Sequence, residues 1–135
     1  MKHLVPVAAL AATLAAAGLA SAQSLGSVTL GRNVMADGRP LAAGTYQVRL
    51  SETRPSPPAV GQSPDSERFV EFLRGGKVVG REVATVVSNA DVASIVKGPK
   101  PAAGGVRVDM LKGNDYVRVW INRGGNNYLI HMPPA

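Results

Sequence analysis

Six side chains able to do chemistry fall in one stretch near the C-terminus: Arg107, Asp109, Tyr116, Arg118, Trp120 and His131. An acid and an imidazole together invite general acid–base catalysis. Two guanidiniums suit an anionic group, and an indole suits a sugar ring or a stacked cation. A hydrolytic triad would further need a nucleophile within hydrogen-bond reach of His131. Whether any of these groups meet depends on how the strands that carry them are aligned.

Two glycine-containing dipeptides set that alignment. With Gly113-Asn114 as a two-residue hairpin loop, Lys112 pairs with Asp115, Met110 with Val117, Val108 with Val119 and Val106 with Ile121. With Gly124-Gly125 as the next loop, Ile121 pairs with Tyr128, Val119 with Ile130 and Val117 with Met132. Both turns put the same residues of the central strand on one apolar face, whereas a slip of one residue would mix the faces. The opposite face then reads Asp109, Arg118, His131 in one row and Arg107, Trp120, Leu129 in the next, with Leu111 and Tyr116 alongside. Side chains in such rows sit roughly 4.5–5.5 Å apart at Cβ.

Neither row supplies Ser, Thr or Cys, which leaves hydrolysis the least favoured chemistry and a non-enzymatic role the favoured one. The simplest reading of the first row is a solvent-facing ladder in which Asp109 and His131 flank Arg118. Trp120 is expected to be covered by a helix or loop, or else to serve as an open stacking platform. No metal is expected, because the chain has no cysteine and one histidine outside its leader. No other cofactor is expected, since the glycine pairs read as turns and none leads from a strand into a helix.

The elements that must position these residues are short runs rich in Val, Tyr, Phe and Ile between Gly, Pro, Asn and Asp clusters. Strands are predicted near residues 27–35, 45–51, 67–74, 77–87, 105–112, 115–122 and 127–132. With Gly75-Gly76 as the turn of the 67–87 hairpin, Arg74 faces Lys77, Leu73 faces Val78, Phe72 faces Val79, Val70 faces Arg81 and Phe69 faces Glu82. Both of its faces carry apolar residues. One short helix is predicted over about 89–97, with Ser88 and Asp91 as a capping pair, Val92, Ile95 and Val96 on one face, and Gly98-Pro99 as the stop. The proline-rich stretch 53–66 reads as an irregular loop.

The N-terminus follows the plan of a cleavable export signal: Lys2 and His3, an apolar run from Leu4 to Leu19, then Ala20-Ser21-Ala22. Cleavage between Ala22 and Gln23 leaves 113 residues, a single domain over 23–135 with no membrane span, bound for the periplasm or the medium. With no cysteine, that domain must hold together by burial and hydrogen bonds. Its formal charge is +5, one less than the whole chain's +6 because Lys2 leaves with the leader. The cations are scattered rather than bunched, and with two phenylalanines in the chain no nucleic-acid surface is expected.

Asp37-Gly38-Arg39-Pro40-Leu41-Ala42-Ala43-Gly44-Thr45-Tyr46-Gln47-Val48-Arg49-Leu50 resembles the G-x-P-L and A-G-T-Y-x-V phrases of small secreted bacterial β-sandwich proteins, including transthyretin-like and carboxypeptidase-regulatory-like modules. The resemblance implies a glycine turn launching a strand whose tyrosine packs inward, and it brings no catalytic residues.

These readings converge on an all-β chain, either an antiparallel sandwich or a small, partly open barrel of about seven strands with one short helix. The expected function is an exported binding or envelope-structural domain, with Arg107, Asp109, Tyr116, Arg118, Trp120 and His131 facing an anionic polysaccharide or another envelope component. A second expectation, of a different class, is a barrel that carries a small apolar ligand in a cavity lined by Val108, Val119, Ile121, Ile130 and Met132.

Overall fold

Among the described residues three two-residue turns fold the chain into hairpins, and in each both central residues have positive φ: Asp37 and Gly38 at 49° and 78°, Gly75 and Gly76 at 58° and 79°, Gly124 and Gly125 at 63° and 83°. That conformation matches the right-handed twist of the flanking strands. The computed structural model describes residues 23–53, 55, 66–111, 113 and 115–135. The expected leader, most of the proline-rich loop, Lys112 and Asn114 lie outside the described residues.

Among the described residues nine strands form: β1 (Ser24–Leu30), β2 (Val34–Ala36), β3 (Arg39–Leu41), β4 (Gly44–Leu50), β5 (Glu67–Arg74), β6 (Lys77–Ser88), β7 (Val106–Met110), β8 (Val117–Arg123) and β9 (Asn126–Met132). Seven of them make one antiparallel sheet in the order β1-β4-β5-β6-β9-β8-β7, and β2 and β3 pair separately. The sheet curls until β1 approaches β7 and β8, so of the two expected architectures it is the nearly closed barrel. Seven alternating strands leave β1 and β7 running in the same direction, and no backbone hydrogen bond joins these two edges among the described residues.

The barrel interior is one apolar cluster that includes Leu25, Val28, Tyr46, Val48, Val70, Phe72, Val119, Ile121, Ile130 and Met132. Tyr46 points inward, donates its hydroxyl proton to the Ala42 carbonyl and meets Phe72 edge to face. A smaller cluster of Val87, Val92, Trp120 and Leu129 lies on the outside of the sheet. Its lid is α1 (Val92–Ile95), one turn long.

Several expectations need correction. The first strand breaks at Gly31-Arg32-Asn33, where the Asn33 side-chain carbonyl takes the Ala43 N–H and the Asn33 backbone carbonyl takes the Ala135 N–H. The β5–β6 hairpin keeps Arg74 opposite Lys77 and Leu73 opposite Val78, but Phe72 then faces Gly80, Val70 faces Glu82 and Phe69 faces Val83. Val79 is the extra residue of a bulge. Directly beyond it β3 presses on β6, where a Cβ at Gly80 would lie 3.1 Å from Leu41 Cδ1. Arg74, opposite the like-charged Lys77, lies over the Tyr46 ring at 4.5 Å and donates to the Ala43 carbonyl. The helix is shorter than 89–97 because Ser88 still pairs with Asn126 in β6, and Ile95 points to solvent while Val92 is buried.

Phe72 is fully buried at the centre of the interior cluster. Phe72→Ala should therefore lower the stability by about 3–5 kcal/mol, read as a fall in the urea midpoint at constant m-value.

Candidate functional site

The register expected for the C-terminal meander holds throughout the described residues. Val106, Arg107, Val108, Asp109 and Met110 of β7 face Ile121, Trp120, Val119, Arg118 and Val117 of β8. Arg118 faces His131, Trp120 faces Leu129 and Val117 faces Met132 across β8 and β9. The six candidate residues therefore share the outer face of these three strands, with Tyr116 just ahead of β8.

On that face the charges are already partly spent on one another. Asp109 accepts from Arg107 at 2.7 and 3.3 Å and from Arg118 at 3.3 Å. Its carboxyl is held below the ordinary carboxylate range by the Arg107 hydrogen bonds first, against the opposing effect of desolvation, with Arg118 assisting. Arg118 is no exposed rung, for only 11% of its side chain is accessible. It donates to the Lys97 carbonyl at 3.0 Å, just past α1, and sits 5.2 Å from the Trp120 ring centroid. Its Nε is buried and has no hydrogen-bond partner among the described residues.

Trp120 is closed to a ring ligand, being 1% exposed beneath α1. Its indole N–H donates to the Asn127 side-chain carbonyl at 2.9 Å. The Asn127 amide donates in turn to the Val87 carbonyl and to the Asn89 side chain, at 3.2 and 2.8 Å. Asn127 is fully buried. In the sequence it looks like an ordinary residue flanking a turn; only its enclosure on the outer face beside the indole gives it a role.

His131 stands on β9 with its ring edge-on to Tyr116, the centroids 6.4 Å apart. Its pKa is pushed below the ordinary histidine value, first by partial desolvation and then by the Arg118 charge. Between α1 and β9 runs a groove of about 250 Å³, lined by Ile95, Lys97, Arg118, Leu129 and His131, together with Thr85 of β6. Thr85 is a hydroxyl the expected rows did not contain, since the contribution of β6 to this face depends on the β6–β9 register, in which Thr85 faces Leu129. No hydrogen bond joins it to His131 among the described residues. The described residues also hold no cluster of three or more His, Cys, Asp or Glu side chains suited to a metal.

The lining expected for an apolar carrier is divided. Val119, Ile121, Ile130 and Met132 are fully buried among neighbours, but Val108 is 38% exposed because β7 is an edge strand. No helix of the described residues is long and apolar enough to cross a membrane. Comparison of the chain with protein-family models, curated proteins and solved structures finds no match.

Two outcomes follow. Asn127→Ala strands the buried indole N–H, while the Val87 carbonyl keeps the Asn127 backbone N–H, and should cost about 1–3 kcal/mol for the one group left unsatisfied, with a change in Trp120 emission on loosening of α1. In an NMR titration His131 should protonate below the usual histidine pH, and Arg118→Gln should raise its midpoint part of the way back. Because the folded value is the lower one, the unfolded chain binds the proton first. The contribution of His131 to stability is thus present above the unfolded value and lost as pH falls through the folded one.

Proposed function

We propose that the chain is an exported, non-enzymatic binding domain that holds an anionic group of an envelope polysaccharide in the groove between α1 and β9. The observation that carries this reading is the charge arrangement around the groove. Arg107 and Arg118 share the single carboxylate of Asp109, while the Lys97 ammonium has no ion-pair partner among the described residues. An entering carboxylate or sulfate would meet Lys97 and the partly satisfied Arg118 guanidinium above an apolar floor that includes Leu129 and Val96.

Trp120 supports the floor from beneath instead of stacking on the ligand. His131 lines the open side, with Tyr116 edge-on to its ring, and a sugar hydroxyl could find the imidazole there. A scattered excess of positive charge draws the domain towards anionic polymers at long range, and salt weakens that attraction.

Isothermal titration with oligogalacturonates, a neutral oligosaccharide of equal length serving as control, tests the reading. Binding of the acidic series alone is expected, with Lys97→Ala weakening it by about tenfold, as for loss of one charge-assisted contact. Equal affinity for both series, or a Lys97→Ala variant that binds as well as the parent, refutes it.

A further inference from the structure

Strand β7 ends the sheet, and its outer edge has no ladder partner among the described residues. Which of its amides face outward can be read from its two ends. The Leu111 N–H donates to the Tyr116 carbonyl, and the Asn122 N–H donates to the Gly105 carbonyl. Odd-numbered residues here thus turn towards β8. By the alternation of an antiparallel ladder, Val106, Val108 and Met110 present their N–H and C=O groups to the free edge. Val108 and Met110 are also 38% and 37% exposed, the apolar part of an edge with no strand paired to it among the described residues. β1 reaches β7 where Gly26 abuts the side chain of Val106.

The edge sequence Val106-Arg107-Val108-Asp109-Met110 has a twofold character: apolar, cation, apolar, anion, apolar. Two copies laid antiparallel can satisfy the outward amides in only a few registers. Centring on Arg107 sets Arg107 against Arg107, and centring on Asp109 sets Asp109 against Asp109. Centring on Val108 sets each Arg107 against the other copy's Asp109, and the inward-facing Val106, Val108 and Met110 against Met110, Val108 and Val106. In that register the valine and methionine rows form the hydrogen-bonded pairs, and Arg107 and Asp109 fall in the closer, non-hydrogen-bonded pairs where opposite charges count most.

We propose that the chain forms a twofold dimer by antiparallel pairing of β7 with β7 of a second copy, in the register centred on Val108. This rests on the edge alone and is independent of the glycan reading. A five-residue edge buries little area, so association depends on protein concentration.

Sedimentation equilibrium of the purified protein over a wide concentration series is the test. The mass should rise from one copy towards two. Val108→Pro, which removes an outward N–H and leaves the β8 ladder bonds in place, should stay at one copy with unchanged far-UV circular dichroism. Arg107→Asp and Asp109→Arg should each fail to self-associate, because like charges then face each other, yet an equimolar mixture of the two should sediment as a dimer. A wild-type chain that is monomeric throughout, a folded Val108→Pro that still dimerises, or a mixture that stays monomeric overturns the proposal. Should Val108→Pro unfold, the two charge variants decide alone.

Discussion

The whole arrangement depends on β8 being buried on both faces. Val117, Val119 and Ile121 point into the barrel while Trp120 points the other way beneath α1, and all four are almost inaccessible to water. A slip of one residue would turn every inward side chain of β8 outward and carry Trp120 and the Arg118 guanidinium into the apolar interior. Its neighbours inherit that certainty. β7 and β9 are aligned by it, and their charged and aromatic side chains meet on the outer face because β8 leaves them no other alignment.

Much of this was legible in the amino-acid order, for reasons that can be named. The C-terminal meander could be aligned because two turns bracket β8 and agree about its apolar face. The β5–β6 hairpin could not be aligned beyond its first two pairs, because the bulge at Val79 answers to the pressure of Leu41 on Gly80, a contact between segments far apart in the chain. The short β2–β3 hairpin was hidden for another reason. Asp37-Gly38 is a dipeptide suited to a corner with both φ positive, but the strands it joins are three residues each, too short to show an alternating pattern.

The site divides in the same way. Strand alternation alone placed Arg107, Asp109, Arg118 and His131 on one face. It could not say that Arg118 would be drawn under the end of α1 to the Lys97 carbonyl, or that Trp120 would be covered, since both depend on where a single helical turn comes to rest. Asn127 was invisible for the opposite reason. Its chemistry is commonplace, and only enclosure makes it indispensable: a buried amide that satisfies the indole, a strand carbonyl and a neighbouring asparagine together fixes the floor on which α1 rests.

The number of strands in the main sheet is odd, and that parity has an evolutionary side. Hairpins are gained and lost as units of two, so an insertion or deletion of one anywhere in the sheet leaves the first and last strands still co-directional. Borders that run the same way can be joined only as a parallel ladder, whose slanted hydrogen bonds pair slightly less stably per residue than the antiparallel ones in the rest of the sheet.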